Sequence, residues 1–472
     1  CPSPGTHIAE GSMIRTCASC LEKQRRIDEL EEEVVRLKAN LRYQQRQATE
    51  GVFGSSTPSS KRPVKANTLA ERQARRGGAR PGHVGHGRSA ASEASADRIE
   101  TLRVPTTHCP TCQGRLTTRG FCWRTVIEIP PTRPQTILYR LEVKRCPRCR
   151  RTVRAHPPAV LPHSLYGNEL LTHVATQHYV HGVPLGRLED HLGLGIGSVI
   201  DALHRLARLV SPVAAHLAQE YRHAPVKHAD ETGWRTDGQN GYVWLFATPQ
   251  LRVFRFRKTR SAEVPKEVFG TKRLPGVLVV DRYNAYNRVP CALQYCYAHL
   301  LRDVTDLAQE FPQSGEVQAF SQALAPLLSE AMGLRSASIT QAAFHRQARR
   351  VKRRILKVVQ HPAQHPGVQQ IQDIFRAHAA RLYHWAAHHQ VPADNNLAER
   401  DLRPSVIARK VSFGSQSEAG ARTRETLMTV LCTLRKRFPQ DVARRFRHAL
   451  DTLATHPTRD PYQLLFHDRS PP

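Results

Sequence analysis

The chain has 472 residues, too many for one ordinary domain, and carries 70 Lys plus Arg against 40 Asp plus Glu, a formal charge of +30. Such an excess attracts polyanions at long range, so nucleic acid is the expected partner. With no apolar stretch of about eighteen residues and few aromatics, the sequence argues against a membrane partner.

No charged-then-apolar leader opens the chain, so a cytoplasmic location is expected, where the 11 cysteines serve as metal ligands or free thiols. The first residue is Cys1, and Met13 stands just before the first patterned segment. Ile27, Leu30, Val34, Leu37 and Leu41 recur at steps of three and four, as heptad a and d positions do. This predicts a short coiled coil within 1–50, either a parallel dimer or a lone amphipathic helix docked on its own domain. Residues 51–100 are rich in Gly, Ser, Pro and Arg and form a basic disordered linker, either an arm that tracks phosphates or a solvated tether.

Cys109-Pro110-Thr111-Cys112 and Cys146-Pro147-Arg148-Cys149 are two C-x-x-C knuckles, enough for four thiolates on one tetrahedral structural Zn²⁺. A zinc-binding ribbon is expected over 101–160, with Trp123 to Ile129 and Thr136 to Lys144 as its strands. Across 161–222 a helix from Pro184 to Leu192, a Gly-rich turn and a helix from Ser198 to Leu209, capped by Ser198, have the layout of a helix-turn-helix. The second helix carries His204, Arg205 and Arg208 outward, as a DNA-reading face or as ordinary scaffold.

After Pro225 the pattern changes. Val226 to Trp234, Tyr242 to Thr248 and Arg252 to Arg257 are short strands; a helix from Ser261 to Phe269 follows, and then Gly276-Val277-Leu278-Val279-Val280 reads as a strand buried on both faces. Three strands, a helix and a strand are the order of an RNase H-like core. The core's first part is expected over 223–300, a helical insertion over 301–391, its last part with a Glu-bearing helix over 392–440, and a C-terminal tail over 441–472. The fold class is thus multidomain α/β, with a mixed RNase H-like sheet preceded by coiled coil, ribbon and helix-turn-helix-like region.

Three carboxylates carry the chemistry. Strand alternation sends Asp230 to the face of His228 and Thr232, and Glu231 to the other. Asp281 ends the apolar run, at the carboxyl edge where α/β sheets place ligands. Glu399 lies on a short helix between Pro392 and Pro404, in a polar stripe with Asn395 and Arg403. Cutting a phosphodiester takes two hard cations, Mg²⁺ or Mn²⁺, about 3.5–4 Å apart and held by oxygen ligands. Asp230 would bridge both ions, with Asp281 and Glu399 each completing one shell.

At these residues the chain resembles the insertion-sequence sixty-six family of bacterial transposases, of the DDE superfamily. The resemblance runs through His228-Ala229-Asp230-Glu231-Thr232-Gly233-Trp234-Arg235, Asp281-Arg282-Tyr283-Asn284-Ala285-Tyr286-Asn287, Cys296-Tyr297-Ala298-His299-Leu300-Leu301-Arg302-Asp303 and Asn395-Asn396-Leu397-Ala398-Glu399-Arg400, then Arg403-Pro404 and Arg409 to Gly414. It implies that Asp230, Asp281 and Glu399 are the acidic triad of an enzyme that nicks transposon ends and transfers the freed 3′-hydroxyl strands into target DNA. Arg400, Arg403 and Lys410 would then lie nearest the phosphates, while Cys296 and His299 read as a buried thiol and a core histidine. Implied partners are double-stranded DNA (transposon ends and target), a second copy of the chain and small accessory proteins of the same element, in the bacterial cytoplasm at the nucleoid. Rival functions are a non-enzymatic zinc-dependent DNA-binding regulator and a structure-specific nuclease of the same fold.

Overall fold

The structure is a computed structural model that describes residues 18–50, 92–95, 108, 112–113, 115, 134–145, 149 and 152–467. They belong to two compact units, Cys1–Arg62 with Ile137–Pro472, and Pro63–Thr136. In the smaller unit the described residues include an antiparallel bridge between His108 and Arg115, which flanks Cys112 in sequence. The basic linker call falls largely outside the described residues, as do Cys109, Cys146 and the strand expected over Trp123 to Ile129.

In the larger unit, α1 (Ala18–Glu50) is a helix whose Ile27, Leu30, Val34, Leu37 and Leu41 are all exposed. Strands β1 (Val143–Arg145) and β2 (Thr152–Arg154) pair antiparallel on either side of the second knuckle. The strand expected from Thr136 is confined to this last piece, where a partner strand exists to take its hydrogen bonds.

Helices α2 (Asn168–Tyr179), α3 (Leu185–Leu192) and α4 (Ile196–His223) follow. The turn between the last two is set by Gly193, left-handed at φ 63°. The second helix was expected to be capped by Ser198 and to stop at Leu209. It begins instead after Gly195 and continues through Pro212, because its apolar face keeps its three-to-four spacing to Leu217 and Tyr221. The carbonyl of Arg208, which loses its i+4 donor at Pro212, accepts from Ser211 Oγ at 2.9 Å.

The sheet contains β3 (Val226–Thr236), β4 (Gln239–Ala247), β5 (Arg252–Arg257), β6 (Val277–Val280) and β7 (Ala292–Tyr295), in the order β5-β4-β3-β6-β7. The first three form an antiparallel meander, and β6 and β7 run parallel to β3. Strand β7 went unread in the sequence. β6 is buried at every position, as an interior parallel strand must be. Its entry is set by Gly276, at φ 81°, where a Cβ would lie 2.4 Å from the Pro225 carbonyl oxygen. α5 (Glu263–Phe269) links β5 to β6.

One sheet face, with Trp244, Phe246 and Val280, packs against α6 (Tyr297–Glu310), α7 (Gly315–Gly333), α8 (Gln341–Gln360) and α9 (Pro366–Ala377). Short α10 (His384–Ala387) closes this helical region. The other face, with Trp234, Val243, Leu245 and Phe256, packs against α2–α4, α11 (Asn396–Ser412), α12 (Glu418–Arg437), α13 (Val442–Thr455) and α14 (Pro461–Phe466). Residues 441–472, read above as a tail, thus supply Phe446, Leu450 and Leu465 to the same core as the sheet. No described helix is long and apolar enough to cross a membrane.

Gly276→Ala should cost about 3 kcal/mol of stability, through forced φ and the clash with the strand entering β3. Urea unfolding of purified variant and parent checks it, and an unchanged midpoint would show that the strand entry is not constrained.

Candidate active site

The parallel pairing of β3 with β6 sets His228 opposite Val279. The same offset of 51 residues separates Asp230 from Asp281, which directly follows β6, so the register carried past its last pair points the two acids towards each other, and Asp230 feels the charge of Asp281. Asp230 Oδ1 accepts from the Glu231 backbone N–H and Asp281 Oδ1 from that of Tyr283, both at 2.9 Å. Each carboxylate is aimed by its own turn of backbone.

Alternation on β3 divides the acids as expected. Glu231 faces the opposite core and is buried, bonded by Arg260 at 2.6 and 2.9 Å and by the Tyr286 hydroxyl. His228 is also buried, its Nδ1 3.0 Å from Asn395 Oδ1, and burial lowers its pKa to about 4. Burial thus favours the neutral form of His228, whose Nδ1 is engaged with Asn395.

Asn395 fastens the start of the helix that carries Glu399. Its Nδ2 donates to the Ala229 carbonyl at 2.8 Å and its backbone N–H reaches Cys296 Sγ at 3.1 Å. Asp394, one residue earlier, accepts from the Asn396 N–H at 3.0 Å. The helix thus begins against β3 itself, and Glu399 comes one turn later on the same side. The sequence expected this helix to stop at Pro404. It runs on to Ser412, because Leu402 and Ser405 are buried to either side of the proline and the packing outweighs one lost bond. Asp401 is buried and paired with Arg252 and Lys436, and Arg409 donates to the Thr232 hydroxyl at 3.2 Å. Past the helix, Ser415 donates to the Arg235 carbonyl at 2.9 Å. α11 is therefore tied to β3 at both ends.

The three carboxylates act on one another. Burial, followed by the charges of Glu231, Asp281 and Glu399, pushes the Asp230 carboxyl well above the usual range. Burial also raises Glu399, with Asp281 and Asp394 adding and Arg302 and Arg403 opposing. Glu231 rises to about 7 from burial and Asp281, despite Arg260 and Tyr286. Among the described residues, the cluster of His, Cys, Asp or Glu ligand atoms lying within 4.8 Å of one another is Cys296, His299 and Glu399. The triad is more open than that. His299 Nδ1 is 3.8 Å from Glu399 Oε1, a buried oxygen that accepts no hydrogen bond.

Sequence reasoning passed over two residues. Arg302, one turn beyond His299 on α6, has a buried Nη1 without a hydrogen-bond partner and is the leading positive influence on Glu399. Its signal was the three-residue spacing from His299. Asn395 reads in sequence as part of a polar stripe with Glu399 and Arg403, and in the fold it joins helix to sheet. Of the expected DNA contacts, Arg400, Arg403 and Lys410 are exposed on α11, as are Arg205 and Arg208 on α4. Arg205 donates to the His163 carbonyl at 2.8 Å, and His204 turns inward to the Thr423 hydroxyl. Cys112 and Cys149 are free and exposed.

A five-stranded mixed sheet covered by helices, in a strongly basic chain, is consistent with a DDE-like core. Residues 163–423 match the family model described as Transposase IS66 family, and residues 106–150 match the zinc-finger binding domain of transposase IS66. The chain belongs to the IS66 transposase family. It is also similar to an uncharacterized protein, y4qI, of Sinorhizobium fredii, at 26% identity over 323 residues. That similarity covers 60% of this chain and 59% of the relative.

Metal-free, the folded state binds protons that the unfolded chain releases, because the Asp230, Glu231 and Glu399 carboxyls are raised. Their contribution is favourable at low pH and lost as pH rises through the raised values. Asp230→Asn should therefore stabilise the metal-free protein by roughly 1 kcal/mol or more at pH 8 and by little at pH 4. Thermal unfolding across pH in chelator measures this, and a gain independent of pH would count against the clustering.

Proposed function

We propose that the chain is a DNA transposase that nicks transposon ends and transfers the freed 3′-hydroxyl strands into target DNA. The observation that supports it best is the shared register of β3 and β6, which sets Asp230 beside Asp281, together with the electrostatic coupling of both to Glu399. The donor set is all oxygen, one Glu399 oxygen is buried without a hydrogen bond, and burial, with neighbouring carboxylates adding, raises the Asp230 and Glu399 carboxyls above the usual range. That suits two Mg²⁺ or Mn²⁺ ions, spread as the open triad is, better than one. When bound, the ions activate the attacking oxygen and stabilise the leaving one.

The remaining work falls to the chain. Asp230, Asp281 and Glu399 would act as ligands in ionised form, and because the Asp230 and Glu399 carboxyls are raised, activity should increase as pH rises. Arg302 offsets the negative charge at Glu399 and offers Nη1 to a phosphate oxygen. Arg400, Arg403 and Lys410 on α11, and Arg205 and Arg208 on α4, hold the backbone of double-stranded DNA. Structural Zn²⁺ on 106–150, with Cys109, Cys112, Cys146 and Cys149 as ligands, orders the zinc-finger segment. The exposed stripe Ile27, Leu30, Val34, Leu37 and Leu41 pairs two copies of α1 as a coiled coil. The enzyme works in the bacterial cytoplasm at the nucleoid, with small accessory proteins of its element as further partners.

With pre-cut transposon-end DNA, Mg²⁺ and a target plasmid, the full chain should join strands. Glu399→Gln should lose roughly a hundredfold or more, the several kcal/mol a metal ligand supports, while retaining duplex affinity. Hydrolysis without joining would favour the nuclease, and intact binding with neither reaction the regulator. Cys112→Ser should lower bound zinc by about one ion per chain in atomic absorption; unchanged content would remove that cysteine from the site.

A further inference from the structure

Helix α8 contains five arginines, two lysines and no acidic residue. Phe344, Ala348, Val351, Ile355 and Val359 are buried, which fixes the roll of the helix on the core. On the opposite side Arg346, Arg349, Arg350, Arg353 and Lys357 are exposed. At about 100° per residue these five occupy an arc of about 100°, and their rise from first to last is about 16 Å. The other two cations are engaged, Arg354 with Glu330 at 2.9 Å and Lys352 over the Tyr383 ring at 4.7 Å. Among the described residues, none of the five is paired with an acid.

Like charges one turn apart repel, so the stripe costs stability unless a polyanion lies along it. We infer that α8 is a binding site for the phosphate backbone of duplex DNA, separate from the residues of α4 and α11. Guanidinium forks match phosphate oxygens, and the charges are carried on a rigid helix rather than a flexible arm. The exposed side of α8 has no aromatic ring, so contact is with backbone rather than stacked single-stranded bases. Its length exceeds the roughly 12 Å width of the major groove, enough to touch both walls. Arg335, in the turn Leu334–Ser336 that precedes the helix, acts electrostatically on His228. The inference rests on the reading of the chain as a DNA-acting protein, but on none of its catalytic steps.

The test is the salt dependence of binding to a 30-base-pair duplex of arbitrary sequence, about three turns long, using the full zinc-loaded chain. The triple variant Arg346→Gln, Arg350→Gln, Arg353→Gln should flatten the slope of log affinity against log salt by about 2.7, at about 0.9 per lost contact, and weaken binding roughly tenfold or more at low salt. The Arg→Lys triple at the same positions should keep the slope, which separates lost charge from lost fold. An unchanged slope in a Gln triple with unaltered thermal unfolding overturns the site, as does weakened binding to phosphatidylserine vesicles with duplex binding intact. If the parent fails to join strands yet the Gln triple loses slope, the strand-transfer proposal falls and the α8 site stands.

Discussion

The structure depends on the parallel pairing of β3 with β6. A parallel ladder holds its two strands at a constant offset, and here that offset equals the separation of Asp230 from Asp281, so the pairing also brings buried Asp230 towards half-buried Asp281. Repulsion between them is unfavourable for folding without cations and is tolerated because β6 is apolar at every position and buried on both sides. The core thus offsets the cost of a charged edge, a common way for a fold to support a reactive site.

The third acid arrives by a different device. Glu399 is far from the others in sequence, and its helix is held to β3 by Asn395 at one end and by Arg409 and Ser415 at the other, with Asp401 paired to Arg252 between them. Gly414 belongs to this fastening: at φ 128°, a Cβ there would lie 2.2 Å from the Arg235 carbonyl oxygen. The motif Arg409 to Gly414, which the family resemblance singled out, therefore has a mechanical explanation in this chain. The polar residues around the three carboxylates divide between those that tie the Glu399 helix to β3, such as His228 and Asn395, and those that oppose the charge of Glu399, such as Arg302 and Arg403.

The helical region between β7 and α11 supplies Arg302 to the site and covers one sheet face with apolar residues, while its outer surface carries the uncompensated charge of α8. The net charge of the chain is therefore not spread evenly, and a rigid basic helix is suited to attract a polyanion to a chain whose acids would otherwise repel it.

Periodicity determined much of this in advance. Alternation assigned Asp230 and Glu231 to opposite faces, the all-apolar run identified β6, and the heptad steps identified α1, because each signal is local and repeats along one element. Proline and serine misled at Pro404 and Ser198: such residues state a local preference, and Leu402, Ser405 and the long apolar face of α4 overrule it through contacts far away in sequence. Strand β7 was hidden for the same reason, since four residues become a strand only when β6 lies alongside to take their hydrogen bonds. By itself the sequence determined which residue types could do the chemistry and on which faces they lie. Only the tertiary structure decided that Asn395 joins helix to sheet, that Arg302 answers Glu399 and that the last two helices complete the core, because hydrogen bonds and burial are settled between elements and not along them.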